Sequence, residues 1–418
     1  MSPHAILAIF ALFVLAELAV GLWLDVLNIR HVIRHSKTIP ERFRGYIEQP
    51  TYEKSAAYAL ARARFAMTQS VCESLVLLLF VVLGGFPLID RIALLPGLDP
   101  HSKATGLLYF ALTGMFFSVV STPFRLYAQF VLEEKFGFNK MTVRLWLVDQ
   151  IKALVIAVAI GGPALLGVLW FMEVAGAWWW VWASAFTLAI MLFVQMIFPT
   201  LIAPWFNKFT PLADGELKES VTALARKIDF HLAGIYQMDA SRRSRHGNAY
   251  FTGFGASRRI VLFDTLIQSL SAKELVAVLA HEMGHWKLRH VIKNLALGAV
   301  LQFVMFYVLS VLMGYRPFYE AFGFDGAAHY RALAVFMICS DPFTFFLTPL
   351  LSLLSRHYEY KADRFAVKAT DDPSCLTRAL IRLSRDNLSN LTPHPWYSFF
   401  HHTHPALAER LEAIENRE

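Results

Sequence analysis

Long apolar runs alternate along the chain with polar segments that carry nearly all of its charge. The runs lie at roughly 5–26, 71–90, 104–124, 150–172, 178–203, 294–314 and 332–354. Each approaches or exceeds the roughly 20 residues a helix needs to cross the hydrocarbon core of a bilayer. Several end in aromatic residues, as in "AWWWVW" at 177–182, where amphipathic rings suit the headgroup layer. The pattern predicts a mainly α, multi-pass membrane protein with seven spans. The first run, from Ala5 to Leu24, has no basic leader and exceeds the apolar part of a signal peptide. It reads as a retained first helix with its N-terminus outside.

Between the spans the period changes. "GELKESVTALARKIDF" (215–230) has helical spacing with mixed charges. "NAYFTGFG" (248–255) and "RRIVLFD" (258–264) read as two short strands around a glycine-containing turn. "SAKELVAVLAHEMGHWKLRH" (271–290) opens with Ser271 and Glu274 at capping-box spacing, and Leu275, Val276, Val278 and Leu279 then supply an apolar face. This helix therefore has a signalled start.

Composition agrees with the pattern: of 418 residues, 56% are hydrophobic and only 17% charged. The net charge of +7 does not point to nucleic acid, because the basic residues are placed by segment. Eight Lys/Arg fall in 30–69, thirteen in 206–293 and nine in 356–418, whereas the alternate loops are poor in them. The positive-inside rule puts the rich segments in the cytoplasm, the C-terminus included. The chain then divides into spans one to five with their loops (1–205), a polar piece (206–293), spans six and seven (294–354) and a second polar piece (355–418). The two polar pieces emerge on one side and can fold together as a split α+β domain. Cys72, Cys339 and Cys375 form no disulfide framework and read as packing residues.

Candidate chemistry centres on "AHEMGHWKLRH" (280–290). At 100° per residue, His281 and His285 lie about 40° apart on the helix surface, with Glu282 on the same side. Two imidazoles one turn apart can bind one zinc ion. Zinc lowers the pKa of a water from about 15.7 toward 7, and Glu282 is placed to take its proton. The competing reading is a helix with incidental surface histidines. The extended pattern H-E-x-x-H-x-x-G-x-x-H fails at Leu288 and Val291, and His290, off that spacing, reads as a surface residue. A later glutamate can serve as third ligand: "SRHYEYKADRFA" (355–366) offers Glu359, with Asp363 four residues on to accept the N–H of a ligating histidine. A solvated E-x-x-x-D helix face is the alternative. Lys287, Arg289 and His290 directly follow the motif and suit a membrane surface better than a bilayer centre.

With these residues assembled, the chain resembles the integral-membrane zinc proteases of the CAAX prenyl protease type 1 family over nearly its whole length. "EKSAAYALARARF" (53–65), "FVLEEKFGFNKMT" (130–142), "PTLIAPWFNKFTPLADGEL" (199–217), "NAYFTGFG", "RRIVLFDTLI", "HEMGHWKLRH", "SRHYEYKADRFA" and "HTHPALAERL" (402–411) follow in family order. The resemblance implies one zinc per chain on His281, His285 and Glu359, with Glu282 as general base. It also implies catalytic support from His404 and Arg410, in H-P-x-x-x-x-R spacing, and substrate contact at Asn248 and Ala249 on a strand edge. "SRRSRHGNAYF" departs modestly from the family's small and polar residues before N-A-Y-F, which bears on substrate preference. The family fold implied is seven helices ringing a water-filled intramembrane chamber capped by the zinc domain. Glu73, Asp149 and Asp341, in or near apolar runs, are compatible with such a chamber and equally with polar pairing between helices.

The function expected is removal of the C-terminal tripeptide after a prenylated cysteine, with a peptide or protein substrate and the lipid bilayer as partners. A quality-control protease for membrane proteins would use the same chemistry. A transporter with a regulatory metal site is disfavoured, since Glu282 would be superfluous and no matching pair of Gly/Pro-broken spans is seen. The compact loops lean toward a bacterial inner membrane; in a eukaryote the endoplasmic reticulum would be expected.

Overall fold

The computed structural model describes residues 1–253 and 258–416. Six of its helices are long and apolar enough to cross a membrane: Pro3–His35, Gln49–Val82, Lys103–Phe136, Val143–Val174, Gly176–Phe206 and His290–Met313. The pair His329–Cys339 and Asp341–Thr370, bent by 41° at Ser340, is apolar enough to count as a seventh if the two pieces are one broken span. Pro342, which has no amide N–H to donate, stands at the head of the second piece.

The helices outrun the apolar windows. Gln49–Val82 begins deep in charged sequence, because "SAAYALARARFAM" is rich in strong helix formers and the helix continues past the bilayer. The expected second span, 71–90, is corrected at its far end. The helix stops at Val82, Gly84 turns left-handed at φ 74°, and a separate short helix, Gly85–Leu94, follows. Glycine adopts that backbone without steric cost.

Four short strands form one mixed sheet: β1 (Phe209–Pro211), β2 (Gly234–Met238), β3 (Ala249–Thr252) and β4 (Arg259–Phe263). Their order is β1-β2-β4-β3, with β2 and β4 parallel and the other pairs antiparallel. β3 is thus an edge strand. The turn expected between β3 and β4 falls on 254–257, outside the described residues.

One apolar core runs beneath this sheet. Ile260, Leu262, Leu275, Leu279 and Met283 pack there with Ala366, Leu376 and Leu411, so polar pieces far apart in sequence bury their apolar faces together. Phe43 and Tyr52, from the first polar loop, join the same core. The capping box at Ser271 and Glu274 is present. Glu274 is buried and also accepts from Arg382 Nη1 at 3.2 Å, tying the motif helix to Pro373–Asp386.

Asp149 has a partner outside the spans. Arg243, in the turn region after β2, donates from Nε and Nη2 to its two oxygens at 3.0 and 3.1 Å. This bidentate pair fastens the fourth span to the sheet. Glu73 accepts from Gln69 on its own helix at 2.9 Å. The three cysteines are free, with Cys339 and Cys375 buried.

Candidate metal centre

The site is made where two helices cross. His281 and His285 lie on Ala272–Lys287, and Glu359 and Asp363 lie on Thr348–Thr370. Gly284 is what permits the approach. A Cβ at that position would stand 3.3 Å from the Cα of Ala362 and 3.1 Å from the ring of Phe365. The glycine inside the H-E-x-x-H motif is therefore a clearance between backbones, which sequence reading did not register.

Two imidazole nitrogens and the two oxygens of one carboxylate converge there. His281 Nε2 and His285 Nε2 are 3.2 Å apart, His285 Nε2 is 3.2 Å from Glu359 Oε1, and His281 Nε2 is 3.4 Å from Glu359 Oε2. A tetrahedral zinc with bonds of about 2.0–2.1 Å sets neighbouring ligand atoms about 3.3 Å apart. The two histidine nitrogens stand at that spacing, and each has one of the two Glu359 oxygens at a similar distance. Glu359 Oε2 is buried, with His404 Nδ1 at 2.7 Å, His281 Nε2 at 3.4 Å and Arg410 Nη1 at 3.6 Å. A buried carboxylate that meets two imidazole nitrogens on facing helix turns fits a metal-binding role. The residues present fit zinc.

The next layer of contacts fixes the rings. His281 Nδ1 lies 2.8 Å from Asp363 Oδ1, so its N–H donates to the carboxylate and its Nε2 lone pair faces the other ligands. Arg410 holds Asp363 in turn, donating from Nε and Nη2 at 2.8 and 2.7 Å. Burial works against a charge on His281, but the Asp363 and Glu359 carboxylates outweigh it and raise its pKa to about 9. The centre attracts a cation, be it proton or metal.

His290 corrects the sequence reading. It is 1% exposed, and its ring stacks on Tyr358 at 4.2 Å with planes 10° apart. Its Nδ1 is 3.1 Å from His285 Nδ1. With His285 Nε2 directed at the other ligands, its Nδ1–H donates to His290. The arrangement depends on Arg289, whose left-handed backbone at φ 58° ends the motif helix and starts His290–Met313 in a new direction. Spacing counted along one continuous helix could not anticipate that turn.

The other anticipated residues divide. His404 is largely exposed, beside Glu359, and Arg410 is buried behind Asp363. Arg356 Nη1 donates to the carbonyls of Ser398, Phe399 and His402 at 3.2, 2.9 and 2.8 Å, clamping the chain just before His404. A cleft of about 360 Å3 contains Glu282 and His285 along one wall and residues 250–253 along another. Asn248 and Ala249 lie at the start of β3, outside that lining. Asn248 offers its side-chain oxygen to the Ala249 amide at 2.8 Å and its carbonyl to Phe263 N at 3.0 Å.

Comparisons with known proteins cover nearly all of this architecture. Residues 28–208 match the CAAX prenyl protease N-terminal model, described as five membrane helices, and residues 211–418 match peptidase family M48. CAAX prenyl protease 1 of Saccharomyces cerevisiae is 38% identical, the alignment covering 90% of this chain and 88% of the yeast protein. The human CAAX prenyl protease 1 homolog is 33% identical, with 97% of this chain and 95% of the human protein covered. The crystal structure of S. mikatae Ste24p superposes with a TM-score of 0.91 at 36% identity, covering 98% of this chain and 99% of that one.

Proposed function

The chain belongs to peptidase family M48 as a membrane metalloendopeptidase, and from that premise we propose that it uses one zinc ion to remove the C-terminal tripeptide following a prenylated cysteine. The observation that carries the metal assignment is the convergence of His281, His285 and Glu359, with the two histidine nitrogens 3.2 Å apart and each 3.2–3.4 Å from a Glu359 oxygen.

A zinc ion held by these three residues supplies Lewis acidity that makes water reactive at neutral pH. Glu282 faces the same cleft, accepts the proton of the attacking water and returns a proton to the leaving amine. His404, exposed beside Glu359, donates to the oxygen that gains negative charge as the scissile carbonyl is attacked. Asp363 keeps His281 in the tautomer that leaves Nε2 free, and Arg410 holds Asp363 by its two donors.

Substrate positioning rests on β3. Among the described residues it is paired on one side only, by β4, and its residues share the cleft with Glu282. An extended peptide laid along the free edge pairs through backbone groups, with Asn248 and Ala249 at the head of the strand. Such pairing tolerates many sequences, so recognition of the lipid and chain end belongs to the spans. The apolar windows of the spanning helices are only 0–22% buried. A close-packed bundle would cover a full stripe of each, and this sparse burial supports a hollow ring.

The proposed orientation puts the N-terminus outside and the metal centre at the cytoplasmic face, as the basic segments imply. On this reading 206–293 and 355–418 act as one catalytic unit, supported by their shared core. Mass spectrometry of products from matched prenylated and unprenylated peptides tests the substrate assignment. Cleavage after the modified cysteine, with higher kcat/KM for the prenylated peptide, is the expected result. Equal kcat/KM for both would favour a quality-control protease with the same chemistry.

A further inference from the structure

A second polar site lies away from the metal centre, where the fourth and fifth spans meet the sheet. Val143–Val174 begins and Gly176–Phe206 ends on the membrane face from which β1 departs. Between these helix ends opens a cleft of about 750 Å3 whose walls carry Arg144, Lys152, Lys208, Arg242 and Arg243, with Trp205 at the rim.

The five cations are not equivalent. Arg243 is committed to Asp149 and Asn207, and Lys152 donates to the Trp205 carbonyl at 2.7 Å and lies 3.8 Å from Asp149. The Lys208 amide donates to Asp239 at 2.7 Å, but that bond is made by the backbone. The side chains of Arg144, Lys208 and Arg242 are exposed and have no hydrogen-bond or ion-pair partner among the described residues. The Asp149 carboxylate is already satisfied by Arg243. The cleft therefore presents three unspent positive charges and no free acid in its lining.

Its position selects the kind of occupant. Directly along the same two helices the surface turns apolar: Leu147, Val148, Ile151 and Leu154 on one, and Leu201 and Trp205 on the other, are exposed. A ligand resting here meets unpaired cations at its head and lipid-facing side chains below. Small soluble anions satisfy only the first condition.

We propose that this cleft binds the headgroup of an anionic phospholipid, its phosphate between Arg144, Lys208 and Arg242 and its acyl chains along the two spans. Basic pockets between helix ends at a membrane face take anionic headgroups in this way, each Lys or Arg adding to the attraction. The bound lipid would sit beside the Arg243–Asp149 pair that fastens the fourth span to the sheet.

The test uses full-length protein in detergent, equimolar phosphatidylglycerol and phosphatidylcholine, and native mass spectrometry of the retained lipid. Wild type is expected to keep one phosphatidylglycerol in preference to phosphatidylcholine. R144Q/K208Q/R242Q is expected to lose that preference by about tenfold or more, whereas R30Q/R34Q/K37Q, which removes as many charges from another polar segment, keeps it. Brominated phosphatidylglycerol should quench a fluorescence component in the wild type that W205F lacks, a readout that does not depend on the charge variants folding. Equal retention of the two lipids, equal loss in both triple variants, or the same quenching in W205F would overturn the proposal. Displacement of the lipid by millimolar inorganic phosphate would likewise overturn the lipid assignment in favour of a free anion.

Discussion

Gly284 and Ala362 meet so closely that a Cβ on the glycine would stand 3.3 Å from the alanine Cα. The contact is between backbones, on the same two turns that present His281, His285 and Glu359. The distance between the helices and the size of the ligand triangle are therefore set together.

Gly284→Ala tests that link. Alanine favours the helix by about 1 kcal/mol over glycine, while overpacking a tight contact costs about 1–3 kcal/mol. The helices should separate by a few tenths of an ångström. The expected outcome is a folded protein with weakened metal affinity and at least about tenfold lower kcat, measured by metal titration and peptide turnover. Unchanged metal affinity would show that the triangle does not depend on this approach.

Glu282→Gln separates binding from chemistry. The substitution keeps size and polarity but cannot accept a proton at the carboxylate. Metal content should stay at the wild-type value while turnover falls by about 100- to 10,000-fold. Near-normal turnover would remove Glu282 as the base.

Asp363→Asn and His290→Phe probe the two ring-holding contacts. Loss of an outer hydrogen-bond partner costs about 10- to 100-fold in metal affinity or activity. Asp363→Asn should show this through His281, while His290→Phe keeps the stacking on Tyr358 and loses only the acceptor for His285. If His290→Phe binds metal as tightly as wild type, its contact with His285 is packing alone.

Topology offers an independent check. Cysteines introduced near Pro211 and near Thr392 should be labelled by an impermeant reagent only from the cytoplasmic side. Labelling from opposite faces would separate the motif helix from the segment that carries His404.

Much of the site could be read directly from the sequence. The H-E-x-x-H pair shares one helix face with a capped start, whereas Glu359 and Asp363, alone no more than a polar helix face, are nominated by that motif and by the expected shared side of the membrane. His290 was misread because Arg289 breaks the helix in a left-handed conformation that ordinarily marks glycine, and arginine gives no such signal. Gly284 matters only against Ala362, far away in sequence, and no local pattern encodes a helix crossing. The spans were located by their apolar windows, but hydropathy reports bilayer thickness rather than helix length. Hence Gln49–Val82 starts well before its apolar stretch, and the break at Gly84 was missed. β1 escaped notice because it has three residues and ends in a proline, and β2, Gly234–Met238, because its glycine and glutamine blunt the β signal.

Zinc held by two histidines and one glutamate is the centre of the proposed chemistry. Its most direct test is the zinc content per chain of the purified wild type and of Glu359→Ala. One zinc in the wild type and almost none in the variant is the predicted result. Full zinc occupancy in Glu359→Ala would contradict it.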